Sequence, residues 1–330
     1  MIRCSEGGVG AAMMAKGQMG LVESLLDPKL GANRKLERLD ALLDWTPLER
    51  LAKRLRRAAT GRPPYAPLSM LKALYLQGLY DLSDPGLEEA LVDRLSFRRF
   101  CGFALDAGTP DETTICRFRM AAGDLLLAAF AEINHQLDAK GLILRKGTLM
   151  DATLIASCDR PPTPAAGLGE GHAREPDADW TKKEGKAFFG YKVHFGVDQG
   201  SSLIRRIVLT SAKVSESEVA ERLICGDERA VYADKAYEHK ERRKRLKAAG
   251  IKDRIMHRRH KYLPALPYWQ QRRNQLIARR RAPVEAVCSA FKRLYGQSRA
   301  RCRTLARNAS RLIAVATVYN LRRAAHLTAT

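Results

Sequence analysis

The chain has 330 residues, enough for two domains that each bury a core. Apolar residues at 45% and charged residues at 28% are ordinary for a globular protein, but 58 Lys and Arg against 36 Asp and Glu leave a formal net charge of +22. A balance that basic favours a polyanionic partner, nucleic acid above all, and no uninterrupted apolar run of about 18 residues suggests a membrane span. The seven cysteines form no CxxC pair. They suggest neither a zinc site nor a disulfide framework, and they suit a reducing cytoplasm. Residues 1–18, rich in Gly and Met, lack the apolar stretch of a signal peptide and read as a disordered lead-in.

Residues 40–120 read as a run of short, well-punctuated helices. Thr46-Pro47-Leu48-Glu49 joins a capping-box pattern to a Pro at the first helical position, and Thr109-Pro110-Asp111-Glu112 repeats it. Asp84-Pro85 marks another start, followed by Leu87, Ala90, Leu91 and Leu95 at helical spacing. Leu71, Leu74, Tyr75 and Leu79 form a further apolar stripe, while Gly61-Arg62-Pro63-Pro64 and Gly108 read as turns. The prediction is a small all-α domain over residues 19–140, and such a domain on a basic protein often sets a helix in the DNA major groove. Thr113, Thr114, Arg117 and Arg119 are the candidates for that contact, with Arg98 and Arg99 on the preceding segment. A solvated helix face is the alternative reading of the same residues.

From about residue 145 the pattern turns to strands. Residues 147–156 are a mostly apolar run with Asp151 in its middle. Residues 157–187, with Pro161, Pro162, Pro164 and several glycines, read as a flexible loop. Segments 189–198 and 203–210 read as strands joined by the hairpin-like Gln199-Gly200. A helix over 216–225 and a strand over 229–234, ending on Asp234, come next. A charged helix over 238–249 stopped by Gly250 precedes a strand over 251–256. Pro283 predicts the start of a helix that runs to Tyr295, and 305–325 is a last amphipathic helix. Three strands, helix, strand, helix, strand and then helices predict a mixed α/β layered domain over residues 141–330.

An Asp inside an apolar strand needs a partner, because burying a lone carboxylate is expensive. For one such residue, hydrogen bonds or an Arg are the better explanation. Two such aspartates and a third acid in a strongly basic region shift the balance. Residues 240–311 carry 23 Lys and Arg and only three acids, Glu241, Asp253 and Glu285. Glu285 and Lys292 stand seven residues apart, two helical turns, and so share a helix face.

Block by block, these segments resemble the DDE transposases of bacterial insertion sequences, in particular the insertion sequence five group. Residues 67–74, 82–84, 93–100 and 110–119 are similar to the group's N-terminal helical domain, and 147–156, 190–198, 233–237 and 281–292 to its catalytic blocks. The resemblance implies an RNase H-like catalytic domain, a mixed sheet flanked by helices, preceded by a small all-α DNA-binding domain. It places the catalytic, metal-holding triad on Asp151, Asp234 and Glu285. The group's Tyr-x2-Arg-x3-Glu-x6-Lys pattern falls on Arg281, Glu285 and Lys292, but Ala278 stands where the Tyr is expected. Ala236 likewise stands where a Gly often follows Asp-Lys, and Pro283 predicts that Arg281 lies just outside the helix.

The implied activity is cleavage at element ends followed by strand transfer into target DNA. Two Mg2+ ions about 3.5–4 Å apart, with Mn2+ able to substitute, serve such chemistry. By the resemblance Asp151 bridges both, Asp234 holds one and Glu285 the other. Arg281 and Lys292 would hold phosphates beside Glu285. Lys192 and His194, on one face of their strand, are further candidates for DNA contact, with a satisfied structural His as the rival reading. The expected partners are double-stranded DNA, as terminal inverted repeats and target, and a second copy of the chain in the DNA complex. A nucleoid-associated place in the bacterial cytoplasm is expected, with no membrane contact. Two rivals stand beside this reading: a nuclease of the same fold that does not rejoin strands, and a DNA-binding regulator whose acids are structural.

Overall fold

In the computed structural model the described residues are 29–55, 65–161, 175–183, 185–259 and 265–329, so the lead-in 1–18 and the turn at 61–64 lie outside them. Among the described residues, seven helices come ahead of the first strand: α1 (Arg34–Ala41), α2 (Thr46–Ala52), α3 (Pro67–Tyr80), α4 (Asp84–Asp93), α5 (Leu95–Cys101), α6 (Glu112–Ala121) and α7 (Gly123–Ala139). The starts fall where the punctuation predicts, but the capping is done by neighbours of the expected residues. Ser83 Oγ accepts from Gly86 N at 3.1 Å and Asp111 Oδ1 from Thr114 N at 2.6 Å, not Asp84 and Thr109. Asp84 is thereby released for another partner. Its carboxylate accepts from Gln77 on α3 (2.6 Å) and Arg119 on α6 (2.7 Å), tying three helices through one buried polar knot.

Six strands form a single mixed sheet: β1 (Thr148–Ala156), β2 (Asp179–Lys183), β3 (Lys186–Asp198), β4 (Ile204–Ser211), β5 (Ala230–Ala233) and β6 (Lys252–Ile255), with α8 (Glu216–Leu223) and α9 (Lys240–Ala248) between the later ones. The order is β2-β3-β1-β5-β6, with β4 also paired to β3. β1, β3 and β4 are antiparallel neighbours, whereas β1, β5 and β6 run parallel. β2 corrects the loop expected over 157–187. Its sequence Asp-Trp-Thr-Lys-Lys is polar and largely exposed, so no apolar alternation announces it, and it forms by pairing with the first residues of β3. Gly190 lies where β3 passes the end of β1. Its φ is 154°, and a Cβ there would stand 2.2 Å from the Ile155 carbonyl oxygen.

Two long helices close the chain, α10 (Tyr268–Leu294) and α11 (Leu305–Leu327). α11 packs on α1, α3, α6, α7 and β4 at once. One apolar core therefore runs from Leu36 on α1 through the sheet to Ala324 on α11. Buried Asn320 of α11 accepts from Ile204 N (2.8 Å) and donates to Ile204 O (2.7 Å) and Asn134 Oδ1 (2.8 Å), joining α11 to β4 and α7. A second, smaller core lies on the other face of the sheet, where Met150, Val231 and Ile255 meet Val219, Leu223 and Leu246 of α8 and α9.

Candidate active site

Alternation along β1 decides where Asp151 points. Leu149 and Ile155 join the larger core and Met150 the smaller, so Asp151 shares the face of Leu149. Its antiparallel partner Phe195 meets Phe291 of α10 at a ring distance of 4.9 Å, which lays α10 across this face. The parallel pairing of β1 with β5 sets Thr148 beside Val231 and Leu149 beside Tyr232. The pairing ends there, and Asp234 follows directly after the last residue of β5. β5 ends there because Asp234 turns to cap the short 3-10 turn Lys235–Tyr237, its Oδ1 accepting from Lys235 N at 2.6 Å.

Glu285 comes from α10, which corrects the sequence reading in one respect. Pro283 lies inside this helix and does not start it. An internal Pro removes a helical hydrogen bond at about 3 kcal/mol. Burial of Ile277 before it, and of Val284, Val287, Cys288 and Phe291 after it, holds both halves on the protein and offsets that loss. Arg281 is therefore helical, one turn before Glu285, and reaches into the site. Its Nη1 stands 3.1 Å from Asp151 Oδ1 and its Nη2 3.5 Å from Glu285 Oε1. One guanidinium thus links two of the three acids. Burial raises the Asp151 carboxyl above its ordinary value, and Arg281 opposes that rise without cancelling it.

Two neighbours complete the surroundings. The Lys292 ammonium is half-buried and held below its ordinary value, first by burial and then by Lys183 at the end of β2. Two cations held close together suit a phosphate. Lys183 escaped the sequence reading because its strand was taken for loop. Tyr237 was also missed: its hydroxyl is buried without a hydrogen-bond partner, and burial, then Asp151, push its pKa well up. The Asp-Lys-Ala-Tyr run around Asp234 was the only signal for it.

Three expected DNA contacts are instead internal. Lys192 and His194 project to the sheet face opposite Asp151, as their register demands. Lys192 Nζ binds the Val214 carbonyl (2.8 Å) and Glu216 (3.0 Å). His194 is fully buried against Thr210 Oγ1 (3.0 Å), and burial pushes its pKa down to about 3, so it is neutral. Arg119 is spent on Asp84 and Gln77. Arg117, two residues earlier, is exposed and open to a partner.

A metal would find hard carboxylate oxygens here and no soft donor, because the nearby Cys288 thiol is pushed up to about 12 by burial and then by Asp151. The donor set fits Mg2+ or Mn2+, with Arg281 supplying positive charge between Asp151 and Glu285. The three acids are not drawn to metal-ligand separation of one another. Among the described residues the only group that close is Cys225, Asp227 and Glu228, in the turn before β5. Its carboxylates are taken up by Arg145 and Arg205, so it is a different feature from the triad.

Carboxylates on β1, at the end of β5 and on α10 are groups of the kind that hold a divalent metal, and the lysines are of the kind that hold phosphate. Residues 144–321 match the family described as Transposase DDE domain, and residues 24–121 match Transposase domain (DUF772). The chain belongs to the DDE transposases, enzymes that use divalent metal to cut DNA and transfer its strands. No solved structure matches it. Among the described residues no helix is long and apolar enough to cross a membrane.

Proposed function

We propose that the chain is a transposase of the insertion sequence five group, with an RNase H-like catalytic domain, cutting at element ends and joining the freed ends to target DNA. The observation that carries the site assignment is the chain of ion pairs Asp151–Arg281–Glu285, with Asp234 just past the end of β5, the strand that runs parallel to β1. Asp151, Asp234 and Glu285 would hold the metal. Bound divalent ions supply charge neutralisation on the attacking and leaving oxygens and lower the pKa of water. The chain's own residues do the rest. Arg281, one helical turn from Glu285, would be free to take a phosphate in two-point fashion where metal held its carboxylate partners. Lys292 and Lys183 grip the backbone beside it, and exposed Arg117 serves the helical part. A homodimer would bring two element ends together.

The test is cleavage of a labelled duplex carrying one element end, with Mg2+, by the wild type and by Asp234→Ala. A nick at the end that needs Mg2+ and disappears in the variant, while DNA binding persists, supports the triad. Equal cutting by both proteins overturns it. Adding plasmid target to the same reaction separates a transposase, which joins the freed 3′ end, from a nuclease, which does not.

A further inference from the structure

Apart from the triad, α1 and the C-terminal end of α11 enclose an open cavity of about 520 Å3. Arg34, Lys35 and Arg38 line it from α1, and Arg322 and His326 from α11, with no carboxylate on its wall. Among the described residues none of these five is ion-paired with an acid. Some surface arginines elsewhere are paired, as Arg145 with Asp138 and Asp227, and Arg301 with Asp81. In the bay several cations instead share one concave wall. The Lys35 ammonium is held below its ordinary value, first by burial and then by repulsion from Arg322. Arg322 is fixed by lying over the Tyr295 ring, 5.8 Å from its centroid, and donating to the Tyr295 hydroxyl at 3.4 Å.

Like charges kept together without a counter-ion in a concave wall raise the local concentration of anions. The wall also limits which anion. It offers no aromatic ring to stack a base and no amide, hydroxyl or carboxylate to read a base edge or ribose. The wall is dominated by groups that grip phosphate through charge. Arg34 and Arg38 stand one helical turn apart, about 6 Å along the axis, so more than one phosphate can be engaged in line.

We propose that this bay is a second DNA site that takes the phosphodiester backbone of a duplex without regard to sequence and holds it apart from the catalytic carboxylates. It rests on DNA being the substrate.

The test uses the full chain with Asp234→Asn to prevent cutting, and anisotropy of labelled duplexes over roughly 50–200 mM salt. Replacing both Arg34→Gln and Arg38→Gln is expected to weaken an element-end duplex and an unrelated duplex equally. The slope of log affinity against log salt should fall by about one per residue removed. Arg34→Lys with Arg38→Lys keeps the charge and should keep the slope. Both positions are exposed, so melting temperatures should not move. An unchanged slope overturns the proposal, as does a loss confined to the element end. Inorganic phosphate that raises the melting temperature of the wild type alone, with the slope unchanged, identifies a small-anion site and also overturns it. A wild type that binds no duplex at all defeats the DNA reading itself and the bay with it.

Discussion

Replacing Arg281 by Leu removes the cation shared by Asp151 and Glu285. At 3.1 Å a unit pair in an effective dielectric of 20 is worth roughly 5 kcal/mol before desolvation. The two side chains are only 12% and 22% exposed, so desolvation cancels much of that gain. What truncation loses is then set by the stranded carboxylate, up to about 3 kcal/mol and less once Asp151 takes a proton. Glu285, 65% exposed at 3.5 Å, adds no more than about 0.5 kcal/mol. We expect a loss of ~2 kcal/mol in chelator near neutral pH, a fall in Tm of roughly 3 °C. A divalent ion at a hundred times its Kd returns about 2.7 kcal/mol to a protein that binds it only when folded. The Leu variant has no internal cation to displace, so Mn2+ should stabilise it more than the wild type. Thermal unfolding of both proteins in chelator and in Mn2+ measures the difference, and adding Asp151→Asn to the variant should abolish the gain. Equal shifts for wild type and variant, or no loss in chelator, would refute the idea that Arg281 and metal compete for the same carboxylates.

His194 has a folded value pushed down to about 3 against an unfolded value near 6.5. Its contribution is therefore full above about pH 6.5 and lost as pH falls below it, at up to about 1.4 kcal/mol per pH unit. Urea melts of His194→Gln between those limits should show a shallower pH dependence than wild type, with DNA affinity unchanged at neutral pH. For Asp84, burial raises the carboxyl but the Arg119 and Gln77 hydrogen bonds prevail and hold it below its ordinary value. Its share is present above the carboxylate range and lost as pH falls through the lower folded value, so Asp84→Asn should cost most at neutral pH and little in strong acid. Arg119→Ala strands Asp84 and should cost about 3 kcal/mol, while Arg117→Ala should leave Tm alone and lower DNA affinity; the opposite pattern in a melt and a binding titration would reverse their roles. Gly190→Ala drives a methyl into the Ile155 carbonyl and should destabilise by more than ~3 kcal/mol, read as loss of soluble folded protein in circular dichroism.

Much of this arrangement was written locally in the chain. The Asp151 strand, the Asp234 strand and the last helix declare themselves by apolar run length and flanking turns. What escaped was decided by partners distant in sequence. Lys192 and His194 alternate with apolar residues, which suggests a solvated face, yet both faces of β3 are covered and both side chains turn inward. β2 has no apolar signature and exists because β3 extends past β1 to receive it. Arg119 looks like any basic helix residue until Asp84, 35 positions earlier, claims it. Pro283 reads as a helix start, and only packing on the sheet shows α10 running through it.

The position of α11 also sets the order of events during synthesis. Helices α1, α3, α6 and α7 bury their apolar faces against a segment made after every other element of the described fold. Until residues 305–327 emerge, the early helices and β4 lack the surface that completes their core, so their packing waits for that helix. A chain stopped before Leu305 would also leave Ile204 and Asn134 without Asn320. Such a fragment would expose its apolar faces to proteolysis instead of persisting as a stable, inactive competitor on DNA.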